Sequence, residues 1–291
     1  MHDDDLKKNV VKSGLYLIAT PIGNLGDISF RAIEILKQMD YIYCEDTRVT
    51  QTLLSFYDIK KTLSTYHDHN ADRTRAHIIA QIEEGKKIAL VSDAGMPLVS
   101  DPGYKLVKET KAKNLYVTII PGASAPLTAL ALSTLPPNQF YFGGFFPDKQ
   151  EKQKKLLLSL AHLEATLIFF EAPHRIKETI QIIHDQIGDR LMVVARELTK
   201  KFEEIIVEKA SILLERYAVT PPRGECVLLI EGFQQETKLI DDCDDEILAL
   251  LKDHKIKEVA EIISTLYKFP KKEVYARALL LTQKQKLSEE D

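Results

Sequence analysis

The chain of 291 residues has little of several features that would assign it to a special class of protein. Its three cysteines, Cys44, Cys226 and Cys243, are odd in number and widely spaced. This pattern fits neither a disulfide framework nor a zinc knuckle. No apolar run approaches the roughly 20 residues of a membrane-spanning helix. The start "MHDDDLKKNVVKSG" lacks the apolar core of a signal peptide. We therefore expect a cytosolic protein that does not associate with membranes.

The chain also has no excess of charge of one sign, since 39 Lys and Arg residues against 43 Asp and Glu residues give a net charge of −4. There is no global attraction to nucleic acid, although a local basic groove can act within an acidic protein. No G-x-G-x-x-G follows the first apolar run, and no G-x-x-x-x-G-K-[ST] occurs. A ligand held by a phosphate cradle is therefore not expected. A nucleoside bound through main-chain contacts fits better.

Runs typical of strands and helices alternate along most of the chain, which predicts parallel strands covered by helices. Apolar runs typical of buried strands lie at 14–20, 41–44, 87–92 and 115–120. Ser29 and Gly85 stand where helices should begin and end. The segment 133–150 interrupts this alternation, so we place a domain boundary there. Several strands follow one another closely in the second half, so its sheet should be mixed.

The sequence pattern changes near residue 240, where strand-like runs end and only helix-like spacing remains. "EILALLKDH", "IKEVAEIISTLYKF" and "PKKEVYARALLLTQKQK" have the spacing of three short amphipathic helices. The last two, with Pro270 in the first turn of the second, are typical of a helix-turn-helix, which either caps the protein or contacts nucleic acid. The predicted divisions are a flexible N-terminus at 1–13, α/β domains at 14–135 and 136–235, and a helical extension at 240–291.

Four loops combine the end of an apolar run with a cluster of glycine, proline, aspartate or serine. They are "TPIGNLGD" (20–27), "SDAGMPLVSDPG" (92–103), "PGASAP" (121–126) and "EAPHR" (171–175). Ligands of open α/β sheets bind outside the carboxyl ends of the strands, and glycines there let a ligand approach the main chain. A single such loop is an ordinary turn. Four together predict a pocket lined by backbone groups.

These segments, taken in order, resemble the tetrapyrrole methylase superfamily. The matching motifs, within residues 14–232, are "LYLIATPIGNLGDIS", "YCEDTRVT", "YHDHN", "VSDAGMPLVSDPG", "IPGASA", "FFEAPHR", "ARELTKKFEE" and "PRGECVLLIEG". The resemblance implies two α/β domains with S-adenosylmethionine in the cleft between them, in a homodimer. It is strongest to the branch that methylates the ribose 2′-hydroxyl of a cytidine in the decoding region of 16S ribosomal RNA, so the small ribosomal subunit is the implied partner.

The resemblance also implies which residues contact the cofactor. "SDAGMP" is similar to the Gly-Asp-Pro loop of the family, and "TPIGN" stands where members that make tetrapyrroles have a G-x-G-P-G-D loop. That departure argues against a porphyrin or corrin substrate. The implied cofactor residues are Pro21, Gly23, Asp93, Ala94, Gly95, Pro97, Leu98, Ser124, Ala125, Phe170, Ala195 and Gly224. The later "SDPG" should cap the following helix through Ser100 or Asp101.

Methyl transfer to a hydroxyl is an in-line displacement that depends on positioning, and a base helps because a ribose hydroxyl is a poor nucleophile. No metal is required. The candidate bases follow apolar runs and are Glu171, Glu197 and Asp46, although Asp46 or Thr47 could instead cap a helix. Candidate substrate contacts, chosen for charge or polarity in the same motifs, are Arg48, His67, His69, His174, Arg175, Arg196 and Lys200.

Three other functions stay open at this point. One is methylation of a corrinoid or other small tetrapyrrole, and another is binding of RNA or ribosomes without catalysis. The third is a metal-dependent hydrolase built on His67 and His69, whose side chains would face the same way on an extended segment. The phenylalanines of "FYFGGFF" (140–146) either pack in a core or stack on a flipped-out base.

Overall fold

The computed structural model describes residues 11–67, 71–234, 239–267 and 269–289, with side chains as far as residue 284. The described residues form two compact units, one ending at Phe233 and the other beginning at Gln234. The first unit contains two five-stranded sheets, and the second is helical. Within these ranges, no helix combines the length and apolar character needed to cross a membrane.

The first sheet is entirely parallel, as the alternation of strands and helices predicts. Its strands are β1 (Gly14–Ile18), β2 (Tyr41–Cys44), β3 (Leu63–Thr65), β4 (Lys87–Val91) and β5 (Val117–Ile120), in the order β3-β2-β4-β1-β5. Its helices are α1 (Phe30–Gln38), α2 (Thr47–Phe56), α3 (Ala71–Glu83), α4 (Tyr104–Ala112) and α5 (Ala125–Leu132). Leu15 and Leu17 point into one core, and Tyr16 and Ile18 into another. Both faces of this sheet are therefore buried.

The second sheet is mixed, which confirms the prediction for this half. Its strands are β6 (Phe140–Phe145), β7 (Thr166–Glu171), β8 (Leu191–Arg196), β9 (Glu204–Lys209) and β10 (Cys226–Ile230), in the order β6-β7-β10-β8-β9. Only the β6–β7 pair is parallel. Its helices are α6 (Gln150–Leu160), α7 (Ile176–Ile187) and α8 (Ala210–Val219), and they cover one face. The other face packs against Ala129 and Leu130 of α5 and against Ile22, so a core lies between α5 and the second sheet.

Local chemistry sets the ends of the first helices. The Ser29 hydroxyl accepts a hydrogen bond from Ala32 N at 3.1 Å and caps α1. Asp46 accepts one from Arg48 N at 2.8 Å and caps α2, so the capping role considered for it is confirmed. Each side chain accepts a hydrogen bond from one of the backbone N–H groups that have no partner within the first turn of a helix.

The prediction for the start of α4 is wrong. The helix begins after Gly103, and neither Ser100 nor Asp101 caps it. The Ser92 hydroxyl instead donates a hydrogen bond to the Asp101 carboxylate. The two ends of the 92–103 loop are therefore tied to each other.

The helical unit consists of α9 (Asp244–Leu250), α10 (Ile256–Tyr267) and α11 (Lys271–Glu289). Their apolar faces meet in one small core, which contains Ile247, Val259, Ile263, Val274 and Ala278. Three amphipathic helices were predicted here, and three are found. Pro270 lies just before α11 rather than in its first turn, and its carbonyl accepts a hydrogen bond from Glu273 N at 2.9 Å.

Candidate functional site

Two of the four loops are joined directly to each other at the carboxyl edge of the first sheet. Thr20 N donates to Gly95 O at 2.9 Å, and Gly95 N donates to Thr20 O at 3.1 Å. The Thr20 hydroxyl also donates to Ser92 O at 2.9 Å. Gly95 has φ +82°, a conformation that glycine adopts without the steric cost of a side chain. The 20–27 loop and the 92–103 loop therefore act as one backbone surface.

The same surface touches the second sheet at two glycines. A Cβ placed on Gly23 would lie 2.7 Å from Leu198 O, so the first loop presses against the 197–203 segment. A Cβ on Gly144, at the end of β6, would lie 3.3 Å from the Ser100 hydroxyl. These close approaches leave a cavity between the two sheets. Its volume is about 350 Å³, within the range of pockets that bind small molecules and cofactors.

Eight of the residues predicted to form the site line this cavity. They are Asp93, Ala94, Gly95, Ser124, Ala125, Phe170, Glu171 and Gly224. They come from the ends of β4, β5 and β7 and from the turn before β10. The structure thus brings together residues up to about 130 positions apart, as expected when strands of neighbouring sheets end at a common cleft.

Other predicted residues lie behind or beside the cavity wall. Pro97 borders a small neighbouring cavity, Leu98 packs against the first-sheet core, and Ala195 is fully buried in the core between α5 and the second sheet. Pro21 and Gly23 flank Ile22, which does line the cavity. None of these five residues lines the cavity itself.

Several apolar residues that line the cavity are not among the predicted site residues. They are Ile22, Met96, Val99, Phe145, Leu198 and Val227. Most of them lie inside the quoted motifs. Their position in a motif could have identified them, but their residue type alone could not. Leu198 sits in a strained segment, because Glu197 has φ +51° and Thr199 has φ +65°. Such conformations cluster at ligand sites in proteins.

Glu171 is the most deeply buried carboxylate in the cavity wall, with 4% of its surface exposed. Its oxygens accept hydrogen bonds from the Thr179 hydroxyl at 2.6 Å and from Ala172 N at 2.8 Å. Arg175 approaches the carboxylate at 3.4 Å. Burial nevertheless raises the pKa of Glu171 above its ordinary value. The two hydrogen bonds occupy two of the roughly four lone-pair sites of a carboxylate, and the Glu171 side chain is 2% exposed.

The pKa values of the other two candidate bases are shifted in the opposite direction, below their ordinary values. Hydrogen bonds from Arg48 lower the pKa of Asp46 to about 2. A hydrogen bond from Glu225 N, together with Lys200, lowers the pKa of Glu197. Neither residue lines the cavity. Asp46 and Glu197 are therefore weaker bases than Glu171, and their carboxylates already accept hydrogen bonds, so they are less suited to take up a proton.

The four predicted cations all have acidic partners. Arg48 pairs with Asp46 but keeps 89% of its side chain exposed. Arg175 pairs with Asp148, and its guanidinium also donates to Pro147 O at 2.8 Å. Arg196 binds Glu204 at 2.6 Å, and Lys200 binds Glu197 and Glu225, each at 3.0 Å. Arg48 is therefore the most accessible of the four.

The two predicted histidines that the structure describes, His67 and His174, do not line the cavity. His174 is exposed in the turn before α7, and His67 follows β3. His69 lies outside the described residues. Among the residues that are described, no group of three or more His, Cys, Asp or Glu side chains could hold a metal ion.

The cavity suits S-adenosylmethionine, which combines a flat adenine with a positively charged sulfur. Ile22, Phe170 and Val227 offer apolar walls, and Gly95 leaves the backbone uncovered. Asp93 and Glu171 contribute carboxylates to the same wall, and opposite charges attract strongly where water is partly excluded.

Comparison with known proteins agrees with this geometry. Residues 14–213 match the family described as Tetrapyrrole (Corrin/Porphyrin) Methylases. The chain is 42% identical over 270 residues to a Rickettsia prowazekii protein named ribosomal RNA small subunit methyltransferase I, covering 92% of this chain and 96% of the relative. It is 46% identical over 222 residues to the protein of the same name from Bacillus subtilis, covering 76% of each.

Solved structures share the fold at much lower identity. A diphthine synthase superposes with a TM-score of 0.60 at 16% identity, covering 75% of this chain and 89% of its own. A cobalt precorrin-4 methyltransferase gives a TM-score of 0.56 at 18% identity, covering 75% and 94%. At this identity the likeness concerns the fold alone.

Proposed function

Because the chain belongs to the tetrapyrrole methylase family, we propose that it is a methyltransferase that uses S-adenosylmethionine to methylate ribosomal RNA of the small subunit. The observation that carries this proposal is the likeness, at 40–46% identity, to relatives named for that reaction. The cavity supports it with a cofactor-sized space at the predicted loops. The proposed substrate implies a cytoplasmic enzyme.

We propose further that the acceptor is the 2′-hydroxyl of a cytidine in 16S ribosomal RNA. S-adenosylmethionine, when bound, supplies a methyl group activated by a positively charged sulfur. The loops at 20–27 and 92–103 hold it against the second sheet and exclude water. Glu171 accepts the proton that the ribose hydroxyl loses as its oxygen gains the methyl group. The raised pKa of Glu171 suits this role, because a general base works best when its pKa lies near the working pH.

We also propose that the protein is a homodimer. Helix α5 is apolar on all sides, and its Leu127 and Leu132 expose 51% and 44% of their surfaces. Exposed apolar side chains on one helix are typical of a contact surface. Sedimentation at several protein concentrations measures the oligomeric state, and a monomer at high concentration would refute this part of the proposal.

Methyl transfer to isolated substrates tests the function. Labelled S-adenosylmethionine is incubated with small subunits from cells in which the gene is deleted, with naked 16S RNA, and with a corrin precursor. We expect label in the subunit RNA, recovered as a 2′-O-methylated cytidine after digestion. Label in the corrin alone would assign a small-molecule substrate instead. Cofactor binding without transfer to any of the three would indicate a non-catalytic RNA-binding protein.

Replacement of Arg48 tests the electrostatic part of the RNA contact. The Arg48 side chain is 89% exposed, so its charge is available to a phosphate. We expect Arg48→Gln to lower the slope of log K against log salt for RNA binding by about 0.7–1, the contribution of one phosphate contact. The control is Lys111→Gln, in the last turn of α4 and away from the cleft loops. Equal slopes for Arg48→Gln and the wild type would remove Arg48 from the RNA interface.

A further inference from the structure

Phe145 is an exposed aromatic ring at the edge of the cavity. It leaves 66% of its surface uncovered, and it is also one of the lining residues. Single exposed apolar side chains are common on protein surfaces. Phe145 differs from them because it borders the cavity where the acceptor hydroxyl must arrive. The proposed reaction, as described above, does not use it.

The backbone holds this ring in place from both sides. Strands β6 and β7 pair in register through Phe142, and the register then shifts before Phe145. Gly144 has φ +70°, and bulges of this kind re-aim side chains next to ligand sites. The next residue, Phe146, is buried and packs edge-on against Phe169 at 5.3 Å between ring centroids. Its amide donates to Phe170 O at 3.0 Å.

The ring also keeps a face for stacking. Phe145 contacts Phe170 with 5.3 Å between centroids and 58° between ring planes. The two rings are tilted and not stacked face to face, so a planar group can still lie flat on Phe145. Phe170 lines the cavity as well. An aromatic pair thus connects the cofactor space with its rim.

We propose that Phe145 stacks on the base of the target nucleotide and holds that nucleotide at the mouth of the cavity. This inference rests on the proposed RNA methyltransferase function. A ribose hydroxyl reaches an enclosed cavity only if its nucleotide is splayed out of the RNA, and an aromatic side chain replaces the stacking that the base loses. Because every base has a π face, Phe145 contributes affinity and positioning and not sequence selectivity.

The test compares Phe145→Leu with Phe145→Trp and with Phe140→Leu. Leucine keeps the apolar surface but cannot stack, and tryptophan stacks at least as well. Phe140 lies at the other end of β6, is 45% exposed and does not line the cavity. The measurements are KM for unmethylated small subunits, calorimetric affinity for S-adenosylmethionine, and thermal unfolding as a check of folding.

We expect Phe145→Leu to raise KM for the subunit about ten-fold, in the range that base stacking contributes, with unchanged cofactor affinity. Phe145→Trp should keep KM at or below the wild-type value, and Phe140→Leu should behave like the wild type. An unchanged KM in Phe145→Leu would overturn the inference and leave the function intact. A parallel loss of cofactor affinity would assign Phe145 to the cofactor site instead. Absence of transfer by the wild type would overturn both proposals.

Discussion

Gly23→Ala is expected to weaken S-adenosylmethionine binding more than ten-fold and to destabilise the fold. The new Cβ would lie 2.6 Å from Lys200 Cγ and 2.7 Å from both the Leu198 carbonyl oxygen and the Thr199 hydroxyl. A backbone carbonyl cannot rotate out of the way, so the 20–27 loop and the 197–203 segment must separate. Overpacking of this kind costs about 1–3 kcal/mol. Ile22 and Leu198, next to these contact points, both line the cavity, so the separation also reshapes it.

Gly26→Ala is the matched control, because it makes the same change in the same loop. The nearest atom to a Cβ on Gly26 is Asn24 Oδ1 at 3.3 Å, which accepts a hydrogen bond from Gly26 N at 3.0 Å and belongs to an exposed side chain that needs only a small shift. Calorimetric titration with the cofactor and thermal unfolding measure both effects, and each kcal/mol should lower the unfolding temperature by about 2–4 °C. Equal cofactor affinity in the two variants would show that the contact at Gly23 does not shape the cavity.

The sequence predicts the two sheets and the position of the cleft well, because these depend on short-range patterns. Strands of four to six apolar residues, and glycines or prolines at their ends, carry that signal locally. Two strands were not predicted: β3 (Leu63–Thr65), because three residues give no usable period, and β6 (Phe140–Phe145), because it lies in the segment 133–150 that was interpreted as a domain boundary. Cys44 in β2 pairs with Thr65 of β3, which is a long-range property of the folded sheet.

The side-chain partners in the site could not be predicted in this way. Arg175 pairs with Asp148, 27 residues earlier, and Lys200 pairs with Glu225, 25 residues later. Asp101 was expected to cap α4 but pairs with Ser92 across the loop. Each partner is one of many carboxylates in a chain with 43 of them, and only the folded loops select it. The motif identified the residues, and the fold determined which of them stay accessible.

The wall of the cavity and Arg48, on the protein surface outside it, carry charges of opposite sign. The walls carry the carboxylates of Asp93, Asp101 and Glu171 and suit a cationic cofactor. Burial raises the pKa of both Asp101 and Glu171, so these groups are less firmly ionised than exposed carboxylates. Arg48 extends from the start of α2, outside the cavity wall, where a polyanionic RNA can reach it.

Glu171→Gln is expected to lower kcat by about 10²- to 10⁴-fold, the usual contribution of a positioned base. The amide has nearly the same shape and can still accept from Ala172 N while donating to the Thr179 hydroxyl. What it loses is the capacity to take up a proton. The wild-type kcat should rise with pH through the raised pKa of Glu171, and this acid limb should be missing from the residual activity of Glu171→Gln.

The thermal stability of Glu171→Gln distinguishes a role of Glu171 as the base from a purely structural role. The pKa of Glu171 is raised in the folded protein, so the group favours folding while protonated, at pH values below its unfolded pKa of about 4.3. That contribution is lost as pH rises through the folded pKa, and at neutral pH the buried charge costs stability. Glu171→Gln should therefore unfold at the same or a higher temperature at neutral pH, and the difference should vanish in acid.

Two further variants complete the experiment. Thr179→Val removes a hydrogen bond that favours the ionised form of Glu171, so the acid limb of the kcat profile should move to higher pH while the maximum is retained. Glu215→Gln changes an exposed carboxylate on α8 that is not among the groups that shift the pKa of Glu171, and it should leave kcat, its pH profile and stability unchanged. A Glu171→Gln enzyme with full activity and an intact acid limb would show that another group takes the proton, since folding and cofactor binding are measured on the same samples.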